Sequence, residues 1–217
     1  MESLKTYTFG PASGSAPKQL VILLHGLGAN GQDLIGLAPY LAQAAPDAIF
    51  VSPDAPYPCD MAPFGYQWFS LQDRTPEVML KGVQEAAPVV DHFITEQFEK
   101  YGLEAKDTVL GGFSQGCMMS LYAGPRYPEK LAGIMGFSGA LLWESSFDFN
   151  GLQKIPVNLV HGDADEVVPV GAYHHAKETL EKAGFAVGGH TTPGLGHGID
   201  ENGIRSGCEL LQRVFGS

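Results

Sequence analysis

Short apolar runs alternate along the chain with longer stretches of helical periodicity, and this alternation restricts the fold more than any other feature. Apolar runs bounded by turn residues lie at Gln19–His25, Ala48–Ser52, Thr108–Phe113, Leu131–Ser138 and Pro156–His161, with a weaker one at Phe185–Thr191. Each has the length and Val, Ile, Leu and Phe content of a buried strand. Between them the pattern predicts helices over Asp33–Ala44, Pro76–Tyr101, Ser114–Tyr122, Ala172–Ala183 and Glu201–Phe215. Thr75-Pro76 is a favourable helix start, Pro88 should kink or divide the long segment, and Gly124-Pro125 should stop the helix that begins near Ser114. In the last segment Ile204, Cys208, Leu211 and Phe215 recur at helical spacing, which marks that face for burial. Regular alternation of this kind implies an α/β architecture, a mostly parallel central sheet with helices on both faces, and ligands at the carboxyl ends of the strands. No linker, repeat or low-complexity run divides the 217 residues, so one domain over 1–217 is expected.

The most informative local pattern is Gly112-Phe113-Ser114-Gln115-Gly116, at the end of a strand and the start of a helix. A turn this tight leaves no room for β-carbons at Gly112 and Gly116, and it lifts the Ser114 hydroxyl clear of the sheet. It also sets Ser114 at a helix N-terminus, where free N–H groups and the helix dipole favour developing negative charge. These are the requirements of a nucleophilic serine.

The first strong strand runs into Gly26-Leu27-Gly28-Ala29-Asn30-Gly31, which satisfies G-x-G-x-x-G. Alone it reads as a dinucleotide site, with Asp54 at the end of the next strand as the ribose acid, and an NAD-dependent oxidoreductase is the rival reading. The same loop can instead aim a backbone donor at an oxyanion, and only that use also explains Ser114. On it, the N–H groups of Leu27 and Gln115 form the oxyanion hole.

A serine hydroxyl needs a base held in the right tautomer by a carboxylate. Of the seven histidines, His197 lies in the loop Thr192-Pro193-Gly194-Leu195-Gly196-His197-Gly198 after the last strand, where ligands gather. For the acid, Gly162-Asp163-Ala164-Asp165-Glu166 offers three carboxylates, and spacing does not choose among them. The order of serine, acid and histidine is that of an α/β hydrolase.

These motifs, with Leu24-His25-Gly26-Leu27-Gly28, Pro53-Asp54-Ala55-Pro56 and His161-Gly162-Asp163-Ala164-Asp165-Glu166-Val167-Val168-Pro169, occur in an order that resembles the bacterial carboxylesterase and lysophospholipase family related to the acyl-protein thioesterases. The resemblance runs nearly end to end. It implies an α/β-hydrolase fold, selects Asp165 as the triad acid, and places Trp68 near the acyl-binding side. Cys117 and Met118 stand where the commoner family elbow has a glycine and a small residue, which should reshape the pocket. Residues 29–33 resemble the bacterial esterase branch more than the depalmitoylating one.

The expected activity is hydrolysis of carboxylic esters with an apolar acyl chain through an acyl-Ser114 intermediate, with Asp165 and His197 completing the triad. Acyl-protein thioesterase activity is the nearest alternative, and a non-catalytic binding protein on the same fold is a third. Leu27, Trp68, Phe69, Leu71, Met118 and Val168 are expected to line an apolar substrate trough. No metal or organic cofactor is expected. The formal charge of −11 argues against nucleic acid as a partner. Three cysteines without C-x-x-C spacing suggest free thiols, Cys117 being core rather than a redox centre. The N-terminus lacks the design of a secretory signal and no apolar run approaches membrane-spanning length, so a cytoplasmic protein without integral membrane association is expected. The partner is then a small ester or lysophospholipid, with a homodimer left open.

Overall fold

The computed structural model describes residues 3–144 and 149–216. Its centre is a seven-stranded sheet made of β1 (Thr6–Phe9), β2 (Gln19–Leu24), β3 (Ala48–Pro53), β6 (Thr108–Phe113), β7 (Gly133–Phe137), β8 (Val157–Gly162) and β9 (Val187–Thr192), in the spatial order β1-β3-β2-β6-β7-β8-β9. A small separate ribbon pairs β4 (Tyr57–Pro58) with β5 (Tyr66–Gln67). Strand β1 runs antiparallel to β3, and every other neighbouring pair in the large sheet is parallel. This is the mostly parallel α/β sheet anticipated from the alternation of runs, and it agrees with the α/β-hydrolase fold that the resemblance implies.

Both faces of the sheet are covered, which is why β2 reads as a continuous apolar run. Leu20, Ile22 and Leu24 point into a core shared with α3 (Pro76–Tyr101), α4 (Gln115–Arg126) and α5 (Gly171–Lys182). Val21 and Leu23 point the other way, toward α1 (Gly31–Leu34), α2 (Ala38–Leu41) and α6 (Glu201–Phe215). After β2 the chain leaves toward one face, and after β6 toward the other. The two loops diverge at the carboxyl edge between these adjacent strands, the position where a doubly wound sheet opens a crevice. Among the described residues no helix is long and apolar enough to cross a membrane.

Several elements differ from expectation for identifiable reasons. Helix α4 does not stop before Gly124-Pro125 but continues to Arg126. Pro125 cannot donate to the carbonyl of Leu121, and the Trp143 indole N–H donates to that oxygen instead, at 3.1 Å. Pro88 lies within an undivided α3, which starts at Pro76 and ends at Gly102 in the left-handed conformation (φ 67°). The segment expected as one helix over Asp33–Ala44 is two short helices joined by a 3-10 turn at Ile35–Leu37. In α6 the buried face is Gly203, Ser206, Gly207, Leu210 and Leu211, so Ile204, Cys208 and Phe215 lie on its flanks. The small residues let this helix approach closely: a Cβ on Gly207 would stand 2.6 Å from Met135 Sδ.

Candidate active site

Ser114 sits at the apex of the β6–α4 turn with φ 53° and ψ −114°, a conformation that L-residues rarely adopt. The turn is held by the Ser114 N–H donating to Phe137 O at 2.9 Å and by the Met118 N–H donating to Ser114 O at 3.1 Å. Close packing dictates the flanking glycines. A Cβ on Gly112 would overlap the Gly116 carbonyl, and one on Gly116 would overlap the Leu24 carbonyl. The serine is left partly exposed, at the N-terminus of α4.

Asp165 and His197 come together from loops after β8 and β9. His197 Nδ1 lies 2.7 Å from Asp165 Oδ2, while Asp165 Oδ1 accepts the N–H groups of Val167 (2.8 Å) and Val168 (2.9 Å). Burial pushes the Asp165 carboxyl up, but the bonds from His197, Val168 and Val167 outweigh it and hold the group below the usual carboxylate range. Asp163, one of the rival acids, is exposed and accepts the Gly194 N–H at 2.6 Å, which anchors the loop carrying His197. Glu166 is exposed.

Two supports were not visible in sequence. His161 is buried, donates from Nε2 to Val168 O at 2.7 Å and stands 3.4 Å from Asp165 Oδ2. Ser138, at the end of β7 with φ 49°, donates from its hydroxyl to Gly198 O at 3.3 Å, next to His197. Positive φ outside glycine is the signal that marks Ser138, and it is a property of backbone rather than of composition.

The glycine loop stands against the elbow, since a Cβ on Gly26 would lie 3.2 Å from Ser114 Cβ. The loop is fastened on both sides. Gly28 N–H donates to Tyr66 O and Tyr66 N–H to Ala29 O, both at 2.9 Å. His25 accepts the Ala55 N–H on Nε2 at 2.9 Å, so its ring proton is on Nδ1 and goes to Gly26 O at 2.7 Å. Burial pushes the His25 pKa down and keeps the ring neutral in that role. Among the described residues, the N–H groups of Leu27 and Gln115 have no protein acceptor. The rival dinucleotide reading fails on Asp54, whose Oδ1 is bound to the Gly31 N–H at 2.8 Å within the loop itself. Asn30 caps only the four-residue α1, which is too short for the helix a pyrophosphate would need.

Ser114 and His197 face one cavity of about 390 Å³, walled by Leu27, Leu71, Met118 and Val168 among others. Trp68 and Phe69, expected there, do not line it. Trp68 is fully buried, its indole N–H donating to His25 O at 3.0 Å, so its place is behind the glycine loop. Gln115 explains the arrangement. Its buried side chain accepts the Trp68 N–H at 2.9 Å and donates to Phe69 O at 2.7 Å, drawing that segment toward the elbow. Met79, Arg74 and Ala172 line the cavity and were not anticipated. Cys117 is buried behind Ser114, and burial pushes its thiol up to about 12, against a redox role. Among the described residues no three His, Cys, Asp or Glu side chains are grouped to hold a metal ion.

Residues 11–214 match the phospholipase/carboxylesterase family model. The chain is 33% identical to acyl-protein thioesterase 1 of Kluyveromyces lactis, over 79% of this chain and 80% of that one. It is 29% identical to esterase YpfH of Escherichia coli, over 90% and 82% of the two chains. The crystal structure of esterase PE8 superposes with a TM-score of 0.91 at 39% identity, covering 98% of this chain and 100% of that one. With the serine elbow, the buried carboxylate–imidazole pair and the apolar cavity in one crevice, the chain belongs to the phospholipase/carboxylesterase family of α/β hydrolases and is a hydrolase of ester bonds.

Proposed function

We propose that the protein cleaves carboxylic esters with an apolar acyl chain through an acyl-Ser114 intermediate. The observation that carries this reading is the 2.7 Å contact between His197 Nδ1 and the buried Asp165, with His197 and Ser114 lining the same cavity. Asp165 fixes the tautomer in which Nδ1 is protonated, which leaves Nε2 free to take the Ser114 proton. The serine oxygen attacks the ester carbonyl, and the oxyanion receives the otherwise unpaired N–H groups of Leu27 and Gln115. The tetrahedral intermediate collapses with loss of the alkoxide, which takes the proton from His197 and departs as the alcohol. Water then gives a proton to His197 and attacks the acyl-enzyme, and His197 returns that proton to the Ser114 oxygen as the acid leaves. Leu27, Leu71, Met118 and Val168 supply the hydrocarbon surface for the acyl chain.

The same machinery would cleave a thioester, and the likeness to acyl-protein thioesterase 1 of Kluyveromyces lactis favours this as the second reading. Matched oxygen and sulfur esters of one acyl chain separate the two by their kcat/KM. A fluorophosphonate probe tests the shared mechanism. Labelling at Ser114, located by peptide mass and lost in Ser114→Ala, is the expected result. Unlabelled Ser114 in an otherwise folded protein would refute the nucleophile assignment and favour a ligand-binding role.

A further inference from the structure

Apart from Ser114 and His197, the wall of the cavity is largely hydrocarbon, with Leu27, Leu71, Met79, Met118 and Val168 on it. Arg74 is the only permanently charged side chain among the described residues that line it. It is exposed, in the segment between Leu71 and the start of α3. Its Nε donates to Leu71 O at 3.4 Å, which roots the guanidinium on a residue of the same wall. Among the described residues the two terminal nitrogens have no protein acceptor, and no carboxylate forms an ion pair with the group. The neighbouring Asp73 is engaged elsewhere, accepting the Thr75 N–H at 2.9 Å.

A guanidinium fork without an ion-pair partner puts a local positive charge beside an apolar trough in a chain of formal charge −11. Its planar donors match a carboxylate or a phosphate, which each offer two oxygens in one plane. Resting on the reading of Ser114 as nucleophile, we infer that Arg74 selects esters bearing an anionic group separated by hydrocarbon from the scissile carbonyl. The anion belongs either to the acyl chain, as in the half-ester of a dicarboxylic acid, or to the alcohol, as in an acylglycerol phosphate. Both present the same chemistry to Arg74.

The test is a ratio of kcat/KM values for matched charged and neutral esters. For the acyl side the pair is mono-p-nitrophenyl adipate and p-nitrophenyl hexanoate. For the alcohol side it is 1-hexanoylglycerol 3-phosphate and 1-hexanoylglycerol, followed by acid release. Arg74→Gln should lower the charged-to-neutral ratio on one side by about tenfold, the scale of one charge-assisted contact at a partly wet rim, and Arg74→Lys should retain part of it. Added salt should shrink the wild-type ratio and leave that of Arg74→Gln nearly flat. A fall in the first pair assigns the anion to the acyl chain, and a fall in the second assigns it to the alcohol. Ratios unchanged in both pairs would overturn the inference. Fluorophosphonate labelling of the wild type distinguishes the failures, since absence of labelling refutes the Ser114 reading and labelling with unchanged ratios refutes only the role of Arg74.

Discussion

Asp165→Asn isolates the carboxylate from the shape of the site, because the amide is nearly isosteric and has two possible orientations. In one, the amide oxygen keeps the Val167 and Val168 N–H groups and the NH2 faces His197 Nδ1. The imidazole must then accept at Nδ1 and carry its proton on Nε2, the tautomer that cannot take the serine proton. In the other orientation the oxygen faces His197, but two backbone N–H groups meet an NH2. Leaving each unsatisfied costs about 1–3 kcal/mol, so the productive orientation lies ~2–6 kcal/mol higher. At about 1.4 kcal/mol per tenfold, that leaves a productive fraction between ~10⁻¹ and ~10⁻⁴. Loss of the charge that stabilises the imidazolium adds to this, and the same exchange of carboxylate for amide in a serine-protease triad lowers kcat by about 10⁴. We therefore expect kcat on a p-nitrophenyl ester to fall by about 10³–10⁴, with little change in KM or in thermal unfolding. Asp163→Asn should be far milder, since the amide oxygen still accepts the Gly194 N–H. A folded Asp165→Asn enzyme within tenfold of wild type, or a reversed order of the two variants, would refute the assignment of the acid.

Further outcomes follow from the same geometry. Trp68→Ala should destabilise by about 3–5 kcal/mol, lowering Tm by roughly 6–20 °C, with no selective effect on acyl-chain length, because the indole is buried behind the glycine loop; a chain-length effect without loss of Tm would contradict that placement. Met118→Ala should raise kcat/KM for longer acyl esters relative to butyrate, each CH2 gaining at most ~0.8 kcal/mol, and a profile parallel to wild type would remove Met118 from the trough. Burial pushes the Asp91 carboxyl up to about 6, and among the described residues its Oδ1 has no hydrogen-bond partner. The folded protein therefore holds this proton where the unfolded chain has lost it, so the contribution to stability falls as pH rises from about 4 to 6, by ~1–2 kcal/mol after allowance for partial exposure. Asp91→Asn should flatten that slope in chemical denaturation, and an unchanged slope would contradict it. Cys117 should resist a thiol reagent until the protein unfolds, its thiol being buried and pushed up to about 12.

What could be read from sequence was whatever depends on a short stretch of chain. The apolar runs of β2 and β6, the glycines around Ser114 and the loop around His197 each carry their constraint within a few residues. What could not be read depends on partners distant in sequence. Strand β1 gives no signal because Thr6–Phe9 is half-buried at the sheet edge and lacks an apolar run. The end of α4 lies beyond its expected stop because the indole that replaces the missing Pro125 donor comes from Trp143. The inner face of α6 differs from the apolar stripe because glycine and serine give no hydrophobic signal although they permit the closest packing. Trp68 reads as part of the trough because an aromatic loop looks like a ligand wall, and only the partners of its indole show that it braces the glycine loop from behind.

Gln115 gives this design a particular inheritance. In the proposed mechanism its main-chain N–H receives the oxyanion, while its amide grips the backbone of Trp68 and Phe69, whose continuation to Leu71 forms one wall of the cavity. Rate and selectivity are thereby tied to one position in the chain. A loop transplanted from a relative to change acyl preference would carry a hidden cost in turnover unless its backbone met the Gln115 amide at the same two points. Conversely, selection for faster turnover acting through position 115 would shift the substrate range as a side effect, so new specificities in this scaffold should be easier to reach from the Arg74 rim than from the segment Gln115 holds.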